Sequence, residues 1–104
     1  MNQSAQDHAV DELCLFIENE EHLYRSQFIP IVKNVQRRKA KGTYDSAKAV
    51  KLFMYLVDNG ARAHVKEFGG SVRHNFPKPV RELVAISIRD GVEAELAVGG
   101  EMFS

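Results

Sequence analysis

Residues 45–70 read DSAKAVKLFMYLVDNGARAHVKEFGG, and this stretch decides the fold. Asp45 stands where a helix N-cap side chain accepts from the first unpaired amides, and Gly69-Gly70 is a helix stop. Between them Ala47, Val50, Phe53, Met54, Val57, Ala61, Val65 and Phe68 fall within about 60° of one direction on a 3.6-residue wheel. Ala49, Leu52, Leu56 and Ala63 form a second apolar strip, leaving Lys48, Lys51, Asp58, Arg62 and Lys66 a narrow polar sector. A helix apolar on two sides is either central to a bundle or shared between its own core and a partner. The strip Ala49/Leu52/Leu56/Ala63 is therefore a candidate protein interface, including one with a second copy of this chain. Tyr55 falls in the polar sector, where it is either exposed for binding or, as the leading expectation, packed against a neighbouring helix, while Asn59-Gly60 is a point where the helix could kink or end.

Upstream, Ser4 is an N-cap candidate, with Asp7 in the first turn, where a carboxylate suits the helix dipole. Ala9, Val10, Leu13, Phe16 and Ile17 then recur at helical spacing, and Asn19 before Glu20 and Glu21 reads as a break with Asn19 capping a new helix. Tyr24, Phe28, Ile31, Val32 and Val35 continue the pattern to Gly42. Pro30 inside it should bend the helix or end a segment, because proline lacks a donor and crowds the preceding turn. Downstream, residues 71–78 read as a connection, since the prolines of the segment Asn75-Phe-Pro-Lys-Pro79 break regular structure. Phe76 there is a candidate plug for the bundle end. A last helix carries Val80, Leu83, Val84, Ser87, Ile88 and Gly91 on one face, and its small residues Ser87, Gly91 and Ala94 would permit close helix approach. The expected fold is all-α: a compact bundle of three to five helices in one domain spanning residues 1–104, with the helix near residues 46–68 at its centre. The ends, around Met1–Gln3 and from Val98 onward, are expected to fray.

The composition, 44% hydrophobic and 27% charged, is that of a globular chain able to bury one core without metals or disulfides. Cys14 is the one cysteine, which fits a reducing compartment. The N-terminal residues lack the pattern of a signal peptide, and no apolar run approaches the roughly 20 residues that span a bilayer. A cytoplasmic location is expected. The formal net charge of zero conceals a pattern: residues 1–21 hold six acids and no Lys or Arg, residues 22–81 hold thirteen Lys/Arg against three acids, and residues 82–104 hold five acids against Arg89.

The most suggestive feature of the basic middle is Lys33, Arg37 and Lys41 at i, i+4, i+8 with Arg38 beside them, a row able to follow phosphates. The same row also suits the solvated face of an amphipathic helix, and acidic ends could fold back to neutralise it. Histidines at 8, 22, 64 and 74 raise a metal question, with His64 and Glu67 at i, i+3 and His74 close in sequence. No thiolate pair or H-E-x-x-H accompanies them, so neither metal nor cofactor is expected, and His64 reads as a hydrogen-bonded histidine at the core margin. Cys14 has no cation near it in sequence to lower its pKa, and no Walker loop or nucleophile elbow is present, so no catalytic residue is named.

The stretch from Tyr44-Asp45 through Lys66-Glu67-Phe68, with the Pro30 segment before it, resembles short uncharacterised helical proteins of bacterial accessory genomes. The resemblance covers about half the chain, implies a small helical bacterial protein, and carries no activity or binding residue with it. The functional expectation is thus a non-enzymatic interaction module whose partner is a protein, a second copy of itself among the options. A nucleic-acid binder using Lys33, Arg37, Arg38 and Lys41 is the alternative, and a small metal-free enzyme without an identifiable site is the second alternative.

Overall fold

The computed structural model describes residues 2–97, and every element among them is helical: α1 (Gln3–Asn19), α2 (Glu21–Leu23), a π-helical turn (Tyr24–Phe28), α3 (Ile29–Lys41), α4 (Ser46–Phe68), α5 (Val72–Asn75) and α6 (Lys78–Ala97). The expected all-α bundle is present, with α4 at its centre. The expected fraying of the ends falls partly on Met1 and residues 98–104, outside the described residues; Asn2 and Gln3 are ordered into the start of α1.

Local chemistry sets most of the boundaries. Asp45 caps α4 as expected, its Oδ1 accepting from the Lys48 amide at 3.1 Å. Gly42 closes α3 with φ 73°, its N–H donating back to Arg38 and Lys39 carbonyls. At α1 the cap is Asn2 rather than Ser4: Asn2 Oδ1 accepts from the Ala5 amide at 2.8 Å, which extends the helix past the serine. The break after α1 is present, but its hinge is Glu20 in extended conformation. Asn19 closes the outgoing helix instead of capping the next, its Nδ2 donating to the Leu15 carbonyl. Beyond Glu20 the chain runs helically to Lys41. The disturbance expected at Pro30 lies just upstream, where the backbone widens into a π turn and the Ile29 amide reaches back five residues to Tyr24. This leaves Pro30 in the first turn of α3, where its missing donor costs least. The connection after α4 holds a one-turn helix, α5, capped by Ser71 Oγ accepting from the His74 amide.

Packing departs from the sequence reading in one consistent way. The buried residues of α4 are Ala49, Phe53, Leu56, Val57, Gly60, Ala61 and His64. Their common direction lies roughly 50° around the helix from the expected stripe, toward the second strip. Ala47 and Phe68, on the expected stripe, are exposed, and the helix runs through Gly60 without ending. Gly60 is the closest point between α1 and α4: a Cβ there would fall 2.5 Å from Ile17 Cγ1. Only a residue without a side chain lets Ile17 descend onto α4. α4 packs chiefly on α6, α6 on α1, and α1 on α4, so these three helices enclose Leu13, Phe53, Leu56, Phe76, Val80 and Val84, all essentially inaccessible to solvent. Phe76 plugs the core as expected. Asp58 on α4 and Arg81 on α6 add a partly buried ion pair at 2.7 Å. No helix among the described residues is long and apolar enough to cross a membrane.

Candidate functional site

α6 is amphipathic, but its buried residues are Val80, Val84, Ala85 and Val92, so the side bearing Leu83, Ser87 and Gly91 is not used for the core. On α1 the buried residues are Ala9, Leu13 and Ile17, leaving Leu15 60% exposed. Between these unused sides lies a groove of about 670 Å³, whose lining also takes in Tyr24 and Phe28 of the π turn. Val10, Cys14 and Ile17 of α1, Ile88 and Val92 of α6, and Phe28 form its apolar lining. Tyr24 stacks on Phe28 with ring centroids 5.5 Å apart. The charged residues lining it are Asp11 and Glu18 from α1 and Glu95 from α6; among the described lining residues there is no Lys or Arg.

Cys14 sits in this lining. Burial, then the neighbouring Glu18 carboxylate, push its thiol pKa up against a hydrogen bond with Ser87, and Asp11 adds to the rise. A thiol so placed stays protonated at neutral pH and is a weak nucleophile. It contributes apolar, polarizable surface, which suits packing against an incoming side chain.

Lys33, Arg37, Arg38 and Lys41 are all exposed on α3. Arg37, Arg38 and Lys41 border a shallow hollow of about 300 Å³ with Asn34 and Thr43, and Arg38 Nε donates to Asn34 Oδ1 at 3.0 Å. None of the four takes part in an ion pair among the described residues. Glu93 Oε2 accepts from Tyr44 Oη at 2.5 Å and from Ser46 Oγ at 2.6 Å, while Arg89 donates to the Ser46 carbonyl. The two hydroxyls hold Glu93 below the usual carboxylate range, and burial together with this contact pushes the Tyr44 phenol up to about 12. Sequence reading missed this network, because its members are more than forty residues apart and nothing local marks them.

The candidate interface on α4 is corrected. Ala49 and Leu56 are 3% and 0% exposed and belong to the core, and Leu52 and Ala63 are half-buried. The rotation of the buried face toward Gly60 turns this strip inward, so a partner could reach Leu56 only by opening the bundle. Tyr55 is 70% exposed, so the expected packing against a neighbouring helix is not made.

His64 is buried rather than marginal. The Phe16, Phe68 and Phe76 rings surround it at centroid distances of 5.0, 4.8 and 4.9 Å. Its Nδ1 has no hydrogen-bond partner, and Nε2 lies 3.8 Å from Glu12. Glu67 and His74 remain at the surface, and no three His, Cys, Asp or Glu side chains gather as a metal site among the described residues. The imidazole serves as an aromatic edge in a ring cluster.

Comparison with protein-family models, with curated proteins and with solved structures finds no match to this chain.

Proposed function

We propose that this protein is a non-enzymatic interaction module that binds another protein through the groove between α1 and α6. The observation that carries the reading is the groove's composition: Leu15, Ile88 and Phe28 present apolar surface beside an acidic rim. Apolar surface gathered into one concavity and edged by charge is the anatomy of a binding face, whereas scattered exposed apolar residues need no explanation. The raised Cys14 thiol supports a binding surface over a catalytic one.

A photocrosslinking amino acid at position 15, introduced in the protein's native cell, tests this. A discrete adduct with one protein, formed from position 15 and not from Lys51 on α4, is the expected outcome. Absence of any adduct from position 15 refutes the groove as a binding face.

A second reading rests on a separate observation. The α3 row of Lys33, Arg37 and Lys41 is exposed and has no intramolecular carboxylate partner among the described residues. Such a row could contact phosphates of DNA or RNA, each cation releasing a counterion. Anisotropy of labelled oligonucleotides titrated with protein at several salt concentrations would then show a log–log salt slope near −0.9 per phosphate contacted on duplex DNA. Reversing Lys33, Arg37 and Lys41 to Glu without loss of a measured affinity would remove this reading.

A further inference from the structure

Gly91 lies inside α6, where glycine is the least favourable residue short of proline. Nothing in the fold of the described residues requires it. Its φ is not positive, and a Cβ built there meets nothing within 4 Å. Gly60, by contrast, is fixed by the Ile17 contact. Gly91 leaves space on the α6 wall of the α1/α6 groove, on the same exposed stripe as Ser87 and Glu95 and beside half-buried Ile88 and buried Val92. The glycine thus keeps the α6 wall low midway between Ser87 and Glu95.

The trough also constrains what can lie in it. Its α1 wall runs from Val10 to Glu18 and its α6 wall from Ser87 to Glu95, each about 12 Å or two helical turns. An extended peptide would leave its backbone amides and carbonyls unpaired over this apolar lining, since no strand edge is offered to it among the described residues. A helix satisfies its own backbone and lays an apolar stripe into the trough, with anchor side chains one turn apart on either side of Gly91. The rim then selects by charge. Asp11, Glu18 and Glu95 come from both walls, and no cation among the described lining residues offsets them. An anionic helix or anionic lipid surface is repelled there, and cations flanking the stripe are attracted.

We propose that the partner of the groove is a cationic amphipathic helix, which seats apolar side chains over Gly91 and Ser87 and sets Lys or Arg against Asp11, Glu18 and Glu95. This inference rests on the groove being a protein-binding face and adds the partner's chemistry. The probe is a fluorescein-labelled synthetic helix of roughly 15 residues, with leucines along one stripe and lysines elsewhere, compared with the same peptide carrying glutamate for lysine. Anisotropy is read for the wild type, Gly91→Phe and Glu18→Lys/Glu95→Lys. The lysine peptide should bind at least tenfold more tightly than the glutamate peptide. Gly91→Phe should weaken it at least tenfold while leaving the melting temperature unchanged or raised, because the Cβ enters open space and glycine is a poor helix former. The rim reversal should cancel the preference between peptides. Equal binding of both peptides, or undiminished binding by Gly91→Phe, overturns the inference. If neither peptide binds while position 15 still crosslinks a protein, the partner chemistry is wrong and the groove stands. If no adduct forms either, both fall. An adduct between two copies of this chain would make the occupant a second copy and overturn the inference as well.

Discussion

Replacing Gly60 by alanine probes the contact on which the α1–α4 packing depends. The new methyl would stand 2.5 Å from Ile17 Cγ1 and 2.8 Å from Ile17 Cδ1, with Leu23 Cδ1 at 3.7 Å. Ile17 is only 4% exposed and cannot swing into solvent, so α1 must lift or the side chain must leave its rotamer. Overpacking of this kind costs about 1–3 kcal/mol. The helix-propensity gain of alanine over glycine returns about 1 kcal/mol, so the net loss should be about 1 kcal/mol. With a urea m value of about 1–1.5 kcal/mol/M for a chain this size, the midpoint should fall by nearly 1 M at unchanged slope. Ile17→Ala alone should cost about 2–5 kcal/mol. In the double variant the methyl occupies space vacated by Ile17, so the two losses should sum to more than the double variant shows, by about 1–2 kcal/mol. Gly60→Ala raising the midpoint, with no coupling to Ile17, would refute the claim that close approach at this point shapes the bundle.

Leu56→Lys should unfold the protein instead of dissociating an oligomer, because Leu56 is wholly buried; circular dichroism at low temperature separates the two outcomes. Asp45→Ala should cost about 1 kcal/mol through loss of the Lys48 amide bond, read in the same urea titration, and Asp45→Ser should restore most of it. Glu93 has a depressed folded-state pKa, so its contribution is present above the usual carboxylate value near ~4.3 and is lost as pH falls through the depressed value. Glu93→Gln should therefore flatten the acid limb of stability against pH. Tyr44 has the opposite sign: with its folded-state pKa raised to about 12, its contribution is present below about 10 and is lost as pH rises through about 12. Tyr44→Phe should lessen the alkaline loss of stability, and an alkaline limb identical to wild type would show that the Tyr44–Glu93 contact is absent in solution.

What could be read from the sequence was what local chemistry decides. Asp45 and Gly69 bracket α4 because a capping carboxylate and a glycine act within a few residues of themselves. The all-α class followed from helical periodicity along nearly the whole chain. What could not be read was the direction in which each helix turns. The buried face of α4 centres on Gly60 and His64, residues with little hydrophobicity of their own. Their burial is set by Ile17 on α1 and by rings from three separate segments. That rotation took Ala49 and Leu56 into the core and removed them as an interface. The same limit hid the groove. It exists because the Leu15 side of α1 and the Gly91 side of α6 both remain outside the core, and no local spacing encodes a concavity between helices seventy residues apart. The basic row on α3 was legible as a row, and the structure adds that no described carboxylate pairs with it.

The measurement that tests the groove most directly is photocrosslinking from position 15 in the native cell, carried out in parallel in the wild-type and Gly91→Phe backgrounds. A Cβ at 91 meets nothing within 4 Å, so a phenylalanine there should crowd the groove, and the discrete adduct seen in the wild type should disappear while the protein remains folded. An adduct of undiminished yield in the Gly91→Phe background would mean that partners meet this surface without entering the groove, and would contradict the account.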